Sequence, residues 1–295
     1  MKCKICGSEK NNIIYHGVIR NGGLGKYTAD NVSIYQCNNC SVIWHDNRIE
    51  NMQQYYESPE YRNILEGGAD ESLFYTLHDK ETLDKLIYTG TDIFRDRVVA
   101  DIGCGCGAFL DFLKGVAKEI IAVEPSEIYR KIMAEKGFST YAYTGDAKRN
   151  YRNKVDIVTS FDVIEHVERP EEFLGDIFEL LREKGKAIIG TPTDAPVMRC
   201  LLGEDYEKKL LYSTQHLWIF SEKNLRVLSE KIGFSQTIIK YYQRYGIGNM
   251  LGWVKDKAPG TPIEETFVTS TLDSVWKSQC TDQKLSDYIV LKLEK

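Results

Sequence analysis

The stretch Val98-Val-Ala-Asp-Ile-Gly-Cys-Gly-Cys-Gly-Ala-Phe-Leu110 decides how the rest of the chain is read. A short apolar run ends in an acid, Asp101. Three alternating glycines follow at Gly103, Gly105 and Gly107, and an amphipathic pattern begins at once. That order spells strand, tight turn, helix. Glycine carries no Cβ, so the backbone can take positive φ and a ligand can lie directly against it, facing the unpaired N–H groups of the next helix. The turn is a nucleotide cradle. The glycines alone leave the nucleotide open, because Gly103-Cys-Gly-Cys-Gly-Ala108 also satisfies the loose dinucleotide pattern G-x-G-x-x-G/A.

Three neighbours narrow the choice. Asp101 at the end of the strand would attract a cationic amine and repel a pyrophosphate. Glu124 follows a second apolar run, Ile120-Ile-Ala-Val123, which places an acid at the next strand tip, suited to accept both hydroxyls of a ribose. Val155-Asp-Ile-Val-Thr-Ser-Phe-Asp-Val-Ile-Glu-His-Val167 then reads as a further strand and its loop. Taken in order, these resemble the motifs of class I S-adenosylmethionine-dependent methyltransferases over roughly residues 75 to 295. The resemblance implies a Rossmann-like α/β fold with a seven-stranded sheet of order 3-2-1-4-5-7-6, its last strand antiparallel. It also implies S-adenosylmethionine held by Asp101, Gly103, Gly105, Gly107 and Glu124, with Asp146 on the adenine amino group and Phe161 at the site.

The chain has 295 residues, 38 Lys and Arg against 43 Asp and Glu, and a formal net charge of −5. That length allows one large core and a small appendage. The charges are interspersed, with no basic block, which disfavours a general nucleic-acid or anionic-membrane binder. No window is long and apolar enough to span a bilayer, and the expectation is a cytoplasmic protein. Two C-x-x-C pairs, Cys3-Lys-Ile-Cys6 and Cys37-Asn-Asn-Cys40, are each followed by a small or turn-forming residue, Gly7 and Ser41. Four thiolates at that spacing suit tetrahedral, structural zinc, with two reduced pairs or a redox dithiol as the alternative. Strands at Asn12–Tyr15 and Val32–Gln36 would complete a zinc-ribbon-like domain over 1–46, to which metal could contribute about 10–16 kcal/mol of folding free energy.

Residues 47–95 read as a helical linker or lid with Tyr56, Tyr61 and Tyr75 as candidates to close over the cofactor, and 96–295 as the catalytic domain. Within it, strand three spans Ser139–Tyr143 with Asp146 in the turn after it. A helix from Pro170 ends at Gly185, and strand five runs Lys186–Gly190. A helix capped by Ser221 runs through Leu225, Leu228 and Ile232. The 243–285 stretch, near Trp253, is too long for a hairpin and reads as a substrate cover.

Methyl transfer to a hydroxyl needs donor and acceptor in line and a base to take the proton. Histidine titrates in the right range. His216 lies in Tyr212-Ser-Thr-Gln-His-Leu-Trp-Ile-Phe220, which resembles a segment of zinc-containing sugar C-methyltransferases in which the matching histidine is a proposed base. Gln215 and Ser213 depart from that pattern, so O-methylation with His216 as base is the expectation, against a role in orienting substrate. His166, in Asp162-Val-Ile-Glu-His166, resembles the loop of ubiquinone-biosynthesis O-methyltransferases that binds a divalent cation; the commoner role of that loop is to fix the site floor. His16 and His45, near the cysteine pairs, read as ordinary surface or ribbon residues. The favoured acceptor is a nucleotide-linked or glycan sugar, on which tyrosines and tryptophans near the cover could stack. A phenol or quinone-precursor O-methyltransferase, or a binding protein without turnover, are the alternatives.

Overall fold

The structure is a computed structural model that describes residues 2–46, 52–58, 61, 63–64, 67–68, 70–259, 262–263 and 266–295. Pro59 and Glu60 of the tyrosine-rich stretch lie outside the described residues. The chain forms two compact units. One comprises Met1–Arg48, Thr191–Val227 and Ile239–Val290; the other comprises Ile49–Gly190, Leu228–Ile238 and Leu291–Lys295.

The first unit carries a four-stranded sheet of order β1-β2-β3-β9, with β1 at Asn11–Gly17, β2 at Val32–Cys37, β3 at Ile43–Trp44 and β9 at Trp218–Ile219. The first two strands match the ribbon expected between the cysteine pairs. The fourth could not be anticipated locally: β9 pairs antiparallel with β3, Ile43 opposite Ile219 and Trp44 opposite Trp218. Ile19, Ile34, Ile43, Tyr212 and Ile219 form the core beneath. Trp253 is buried in that same core against Tyr206, ring centroids 5.4 Å apart, so it is not available to stack on a sugar.

The second unit is built on parallel strands at β4 (Val98–Ile102), β5 (Glu119–Val123), β6 (Ser139–Tyr141), β7 (Val155–Phe161) and β8 (Leu181–Pro192). With β10 (Gln236–Tyr242) and β11 (Tyr288–Glu294) the full sheet has the order β10-β11-β8-β7-β4-β5-β6. Read from β6 and counting only the strands of this sheet from β4, this is 3-2-1-4-5-7-6, as the motifs imply. Hydrogen bonds from Lys184 N to Lys295 O (3.2 Å) and from Thr193 N to Asp287 O (3.0 Å) fix β11 antiparallel to β8. The β4 and β5 strands are almost wholly buried on both faces, as expected of a parallel sheet covered by helices.

Two boundaries differ from the sequence reading. The helix starting at Pro170 ends at Leu180, and β8 begins at Leu181 with no connecting turn, so Gly185 sits inside the strand rather than at a helix end. The register of β7 on β8 slips there, between Val155 and Ile157, and a Cβ on Gly185 would stand 2.8 Å from Arg182 O and 3.0 Å from Val155 O. The glycine is required by that close backbone approach. Strand three is also shorter, and Asp146 falls in the first turn of a helix, Thr144–Tyr151.

Candidate functional site

A cavity of about 870 Å³ lies over the carboxyl ends of β4, β5 and β7, within the second unit. The glycine turn forms its floor. Gly103, Gly105 and Gly107 have φ of 74°, 56° and 86°, a region L side chains seldom enter. A Cβ on Gly103 would come 2.3 Å from Val163 Cγ2, and one on Gly105 would come 2.5 Å from Phe74 Cζ. Glycine is needed twice over, for its backbone angle and for the side chains that close on the turn.

Four N–H groups of the turn itself bond within the fold. The Gly103 and Cys104 N–H groups both donate to Val123 O (2.8 and 3.3 Å), and Gly107 N donates to Cys104 O (3.0 Å). Gly105 N donates to Glu124 Oε2 (3.0 Å), while Glu124 Oε1 accepts from Ser126 N (3.0 Å). A phosphate-gripping loop presents its N–H groups to the anion. Here they are already committed, one of them to a carboxylate that would repel phosphate. Of the two nucleotides the glycine pattern allows, the geometry disfavours a dinucleotide.

Glu124 lines the cavity, as do Gly103, Gly105 and Phe161; Asp101, Gly107 and Asp146 are not among its lining residues. Asp101 lies one residue short of the strand end, 3 % exposed, with its Oδ1 accepting from Thr159 Oγ1 at 2.6 Å. Burial raises its pKa to about 6, against the lowering influence of Lys85 and the Thr159 hydroxyl, with Glu124 adding to the rise. The Asp146 carboxylate turns to Arg149, 3.7 Å away. In this structure one Asp101 oxygen is occupied by Thr159, while the Asp146 carboxylate is part-exposed beside Arg149.

Two of the three lid tyrosines reach the cavity. Tyr56, on the helix Met52–Glu57, has its hydroxyl 3.0 Å from His166 Nδ1, and its ring meets that of Tyr61 edge-on at 4.7 Å. Glu57 accepts a hydrogen bond from Tyr143 OH (2.6 Å), tying the same helix to the far wall. Tyr75 instead donates to Asp111 Oδ2 (2.6 Å) beside Lys136, away from the lining. Asp162, at the rim, adopts φ 56° with its N–H on Gly190 O (3.0 Å). A non-glycine residue held in the left-handed region beside a cavity is a recurrent mark of functional sites. Phe74, His78, Glu81, Thr82 and Lys85, all on the helix Glu71–Thr89, also line the cavity. Their three- and four-residue spacing was visible in the sequence, but their polarity concealed an inward face.

The first unit holds the four C-x-x-C cysteines and His216. Cys3 and Cys40 Sγ are 3.7 Å apart, Cys6 and Cys37 Sγ 3.5 Å, and all four lie within 4.8 Å of one another. Four sulfurs about 2.3 Å from a tetrahedral zinc stand about 3.8 Å apart, so the donor set fits that metal. The two pairs are built alike. Gly7 N donates to Cys3 O and Ser41 N to Cys37 O, both at 2.9 Å, with Gly7 and Ser41 at φ 73° and 65°. The Ser213 hydroxyl accepts from the N–H groups of Gln215 (3.3 Å) and His216 (3.2 Å). His45 is not an ordinary ribbon residue: it is buried, and its Nε2 lies 2.9 Å from Ser213 O and 3.0 Å from His216 O. Nothing in its sequence neighbourhood signals that contact, which spans some 170 positions.

A family model described as a methyltransferase domain matches residues 75–237, more than half of the chain. Ubiquinone biosynthesis O-methyltransferases are among the similar curated proteins. The one from Bradyrhizobium sp. (strain ORS 278) is 28 % identical over 125 residues, covering 40 % of this chain and 49 % of its own. The mitochondrial one of Schizosaccharomyces pombe is 25 % identical over 125 residues, covering 38 % and 46 %. The chain thus spans about half the length of the curated relatives it matches. Among solved structures, an S-adenosylmethionine-dependent methyltransferase from Thermotoga maritima superposes with a TM-score of 0.53 at 20 % identity, covering 83 % of this chain and all of the other. One from Archaeoglobus fulgidus superposes at 0.50 with 18 % identity, covering 77 % and all of the other. No described helix is long and apolar enough to cross a membrane.

Proposed function

The chain belongs to the methyltransferase-domain family, and on that premise we propose that it methylates a hydroxyl of a small phenolic or quinone-precursor acceptor. S-adenosylmethionine, when bound, supplies an electrophilic methyl group on a sulfonium. Glu124, Gly103, Gly105 and Phe161, together with Tyr56, Tyr61 and Tyr143, are the residues disposed to hold it. A cavity whose one buried lining carboxylate, Glu124, stands at a strand tip suits a nucleoside that carries no phosphate. The observation that carries the acceptor class is the recurrence of ubiquinone biosynthesis O-methyltransferases among the relatives. The sugar acceptor expected from the Gln215-His-Leu-Trp218 segment has no such support, and the burial of Trp253 removes one of its stacking surfaces.

The protein's contribution is orientation, exclusion of water and proton removal. The base in this reading is His216, whose backbone is held from two directions by Ser213 and His45. His166, hydrogen-bonded to Tyr56 on the cavity wall, positions the lid helix and the site floor. The four cysteines hold a structural zinc; with four thiolate ligands, no position remains for a substrate.

The test is a methyl-transfer assay on a panel of catechol-type phenols and nucleotide sugars, with wild type and His216→Ala. Turnover of a phenol, reduced roughly 10²–10⁴-fold by His216→Ala with S-adenosylhomocysteine affinity retained, is expected. Turnover of a nucleotide sugar and of no phenol would overturn the acceptor class.

A further inference from the structure

The second cysteine pair, β3 and the His216 loop are one continuous hydrogen-bonded assembly. β2 ends on Cys37 and β3 begins three residues after Cys40. β3 pairs with β9, which begins two residues after His216. The residue after β3 is His45, whose ring nitrogen meets the carbonyl oxygens of Ser213 and His216. Both partners are carbonyls, which can only accept, so Nε2 carries a proton. On the other flank, Cys40 O accepts from Asn224 Nδ2 (3.4 Å), and Asn224 Oδ1 accepts from Ser221 N (3.0 Å), fixing the start of the following helix. Asn224 is fully buried. Arg20, near the ribbon hairpin, closes the assembly: its N–H donates to Tyr212 O (3.1 Å) and its carbonyl accepts from Thr214 N (3.0 Å).

A two-residue strand and a bifurcated histidine contact cannot hold a loop on their own, since strands this short are marginal in water. What sets the position of β3 is the knuckle immediately before it, where Ser41 N bonds Cys37 O and Cys37 N bonds Val42 O. A cation shared by the four sulfurs would cross-link this knuckle to the one at Cys3 and Cys6 and add its binding free energy to the fold of both. Without it the sulfurs protonate to thiols and that cross-link is lost.

We propose that the cysteine-bound metal positions the His216 loop, with His45 as the positioning residue that relays it. The metal then acts on the acceptor side of the reaction rather than merely stapling a small domain. This rests on the reading of the four cysteines as a zinc site and of His216 as the base. Zinc belongs to the ribbon, yet its loss would be felt at residues 213–220.

Hydrogen exchange read by mass spectrometry tests this on the full-length chain, zinc-loaded and after chelation, alongside His45→Leu and His45→Gln. Chelation is expected to raise exchange in both 3–44 and 213–220, while 98–123 stays protected and S-adenosylhomocysteine affinity by calorimetry changes less than about twofold. His45→Leu should speed exchange at 213–220 roughly tenfold, the scale of one or two lost hydrogen bonds, with zinc still at one per chain. His45→Gln, whose amide can donate from the same place, should restore protection of 213–220 to the wild-type level. Unchanged protection of 213–220 in both the chelated protein and His45→Leu would overturn the proposal. A chain that binds no zinc would fail the metal reading instead, leaving His45→Leu to decide whether the loop depends on that residue.

Discussion

Glu124 shows how one buried carboxylate can choose a ligand. Its two oxygens bind the N–H groups of Gly105 and Ser126, so the floor of the cavity is stitched to the next strand. The same charge faces whatever occupies the cavity. Glu124→Gln keeps the size but turns one acceptor into a donor against a donor. A lost charge-assisted hydrogen bond costs about 1.5–3 kcal/mol, so S-adenosylhomocysteine should bind roughly ten- to a hundredfold more weakly by calorimetry; unchanged affinity would remove Glu124 from the nucleoside. Asp101 acts differently. Burial lifts its pKa from 3.8 to about 6, so the folded protein holds its proton to higher pH than the unfolded chain does. The favourable contribution of the neutral acid is complete below about pH 4 and is lost as pH rises through 6. Asp101→Asn stays neutral throughout. Its stability relative to wild type should therefore increase between pH 4 and 6, read as the difference between urea midpoints across that range. A constant difference would mean that Asp101 is not the titrating group.

At the scale of the element, the helices and strands of the second unit follow their sequence patterns. Pro170 opens its helix with Glu171 and Glu172 in the first turn, and Phe173, Leu174 and Ile177 are buried along one face. Gly137 leaves the preceding helical pattern at φ 89°, as a stop should. What the pattern could not show is the direct passage from helix to strand at Leu180 and Leu181. Gly185 looks like a helix terminator in one dimension; only the approach of the Arg182 and Val155 carbonyls shows that it is a bulge. Gly185→Ala should therefore cost about 1–3 kcal/mol by overpacking, seen as a lower urea midpoint with unchanged slope. An unaltered midpoint would show that the bulge relaxes freely. The lid helix repeats the lesson. Tyr56, Tyr61 and Tyr75 were equivalent in sequence, but Tyr75 is drawn to Asp111 and Lys136 instead.

At the scale of the molecule, the chain is not divided as it is written. Residues 1–48 form a compact unit with segments near 200 and 260, while the cofactor-side unit recovers the last five residues. The identity of the fold was legible because it is carried by local chemistry: an acid, three glycines, a second acid and a strand–loop signature, each a short motif readable on its own and met in order along the chain. The cysteine site was legible for the same reason, since each C-x-x-C turn encodes its own knuckle. The order of the sheet followed from the family those motifs resemble. By contrast, the pairing of β3 with β9, the clamp of His45 on the His216 loop and the burial of Trp253 bring together residues far apart in sequence. They arise from complementary surfaces that no local pattern records. Nor could the sequence show that the glycine turn spends its N–H groups on Val123 and Glu124, because a hydrogen-bond donor is committed only when the chain has folded around it. By itself, then, the sequence determined the chemistry this protein carries and the fold that presents it. Tertiary structure decided which of those groups face the cavity and what holds them there, because burial and hydrogen bonding are properties of neighbours in space.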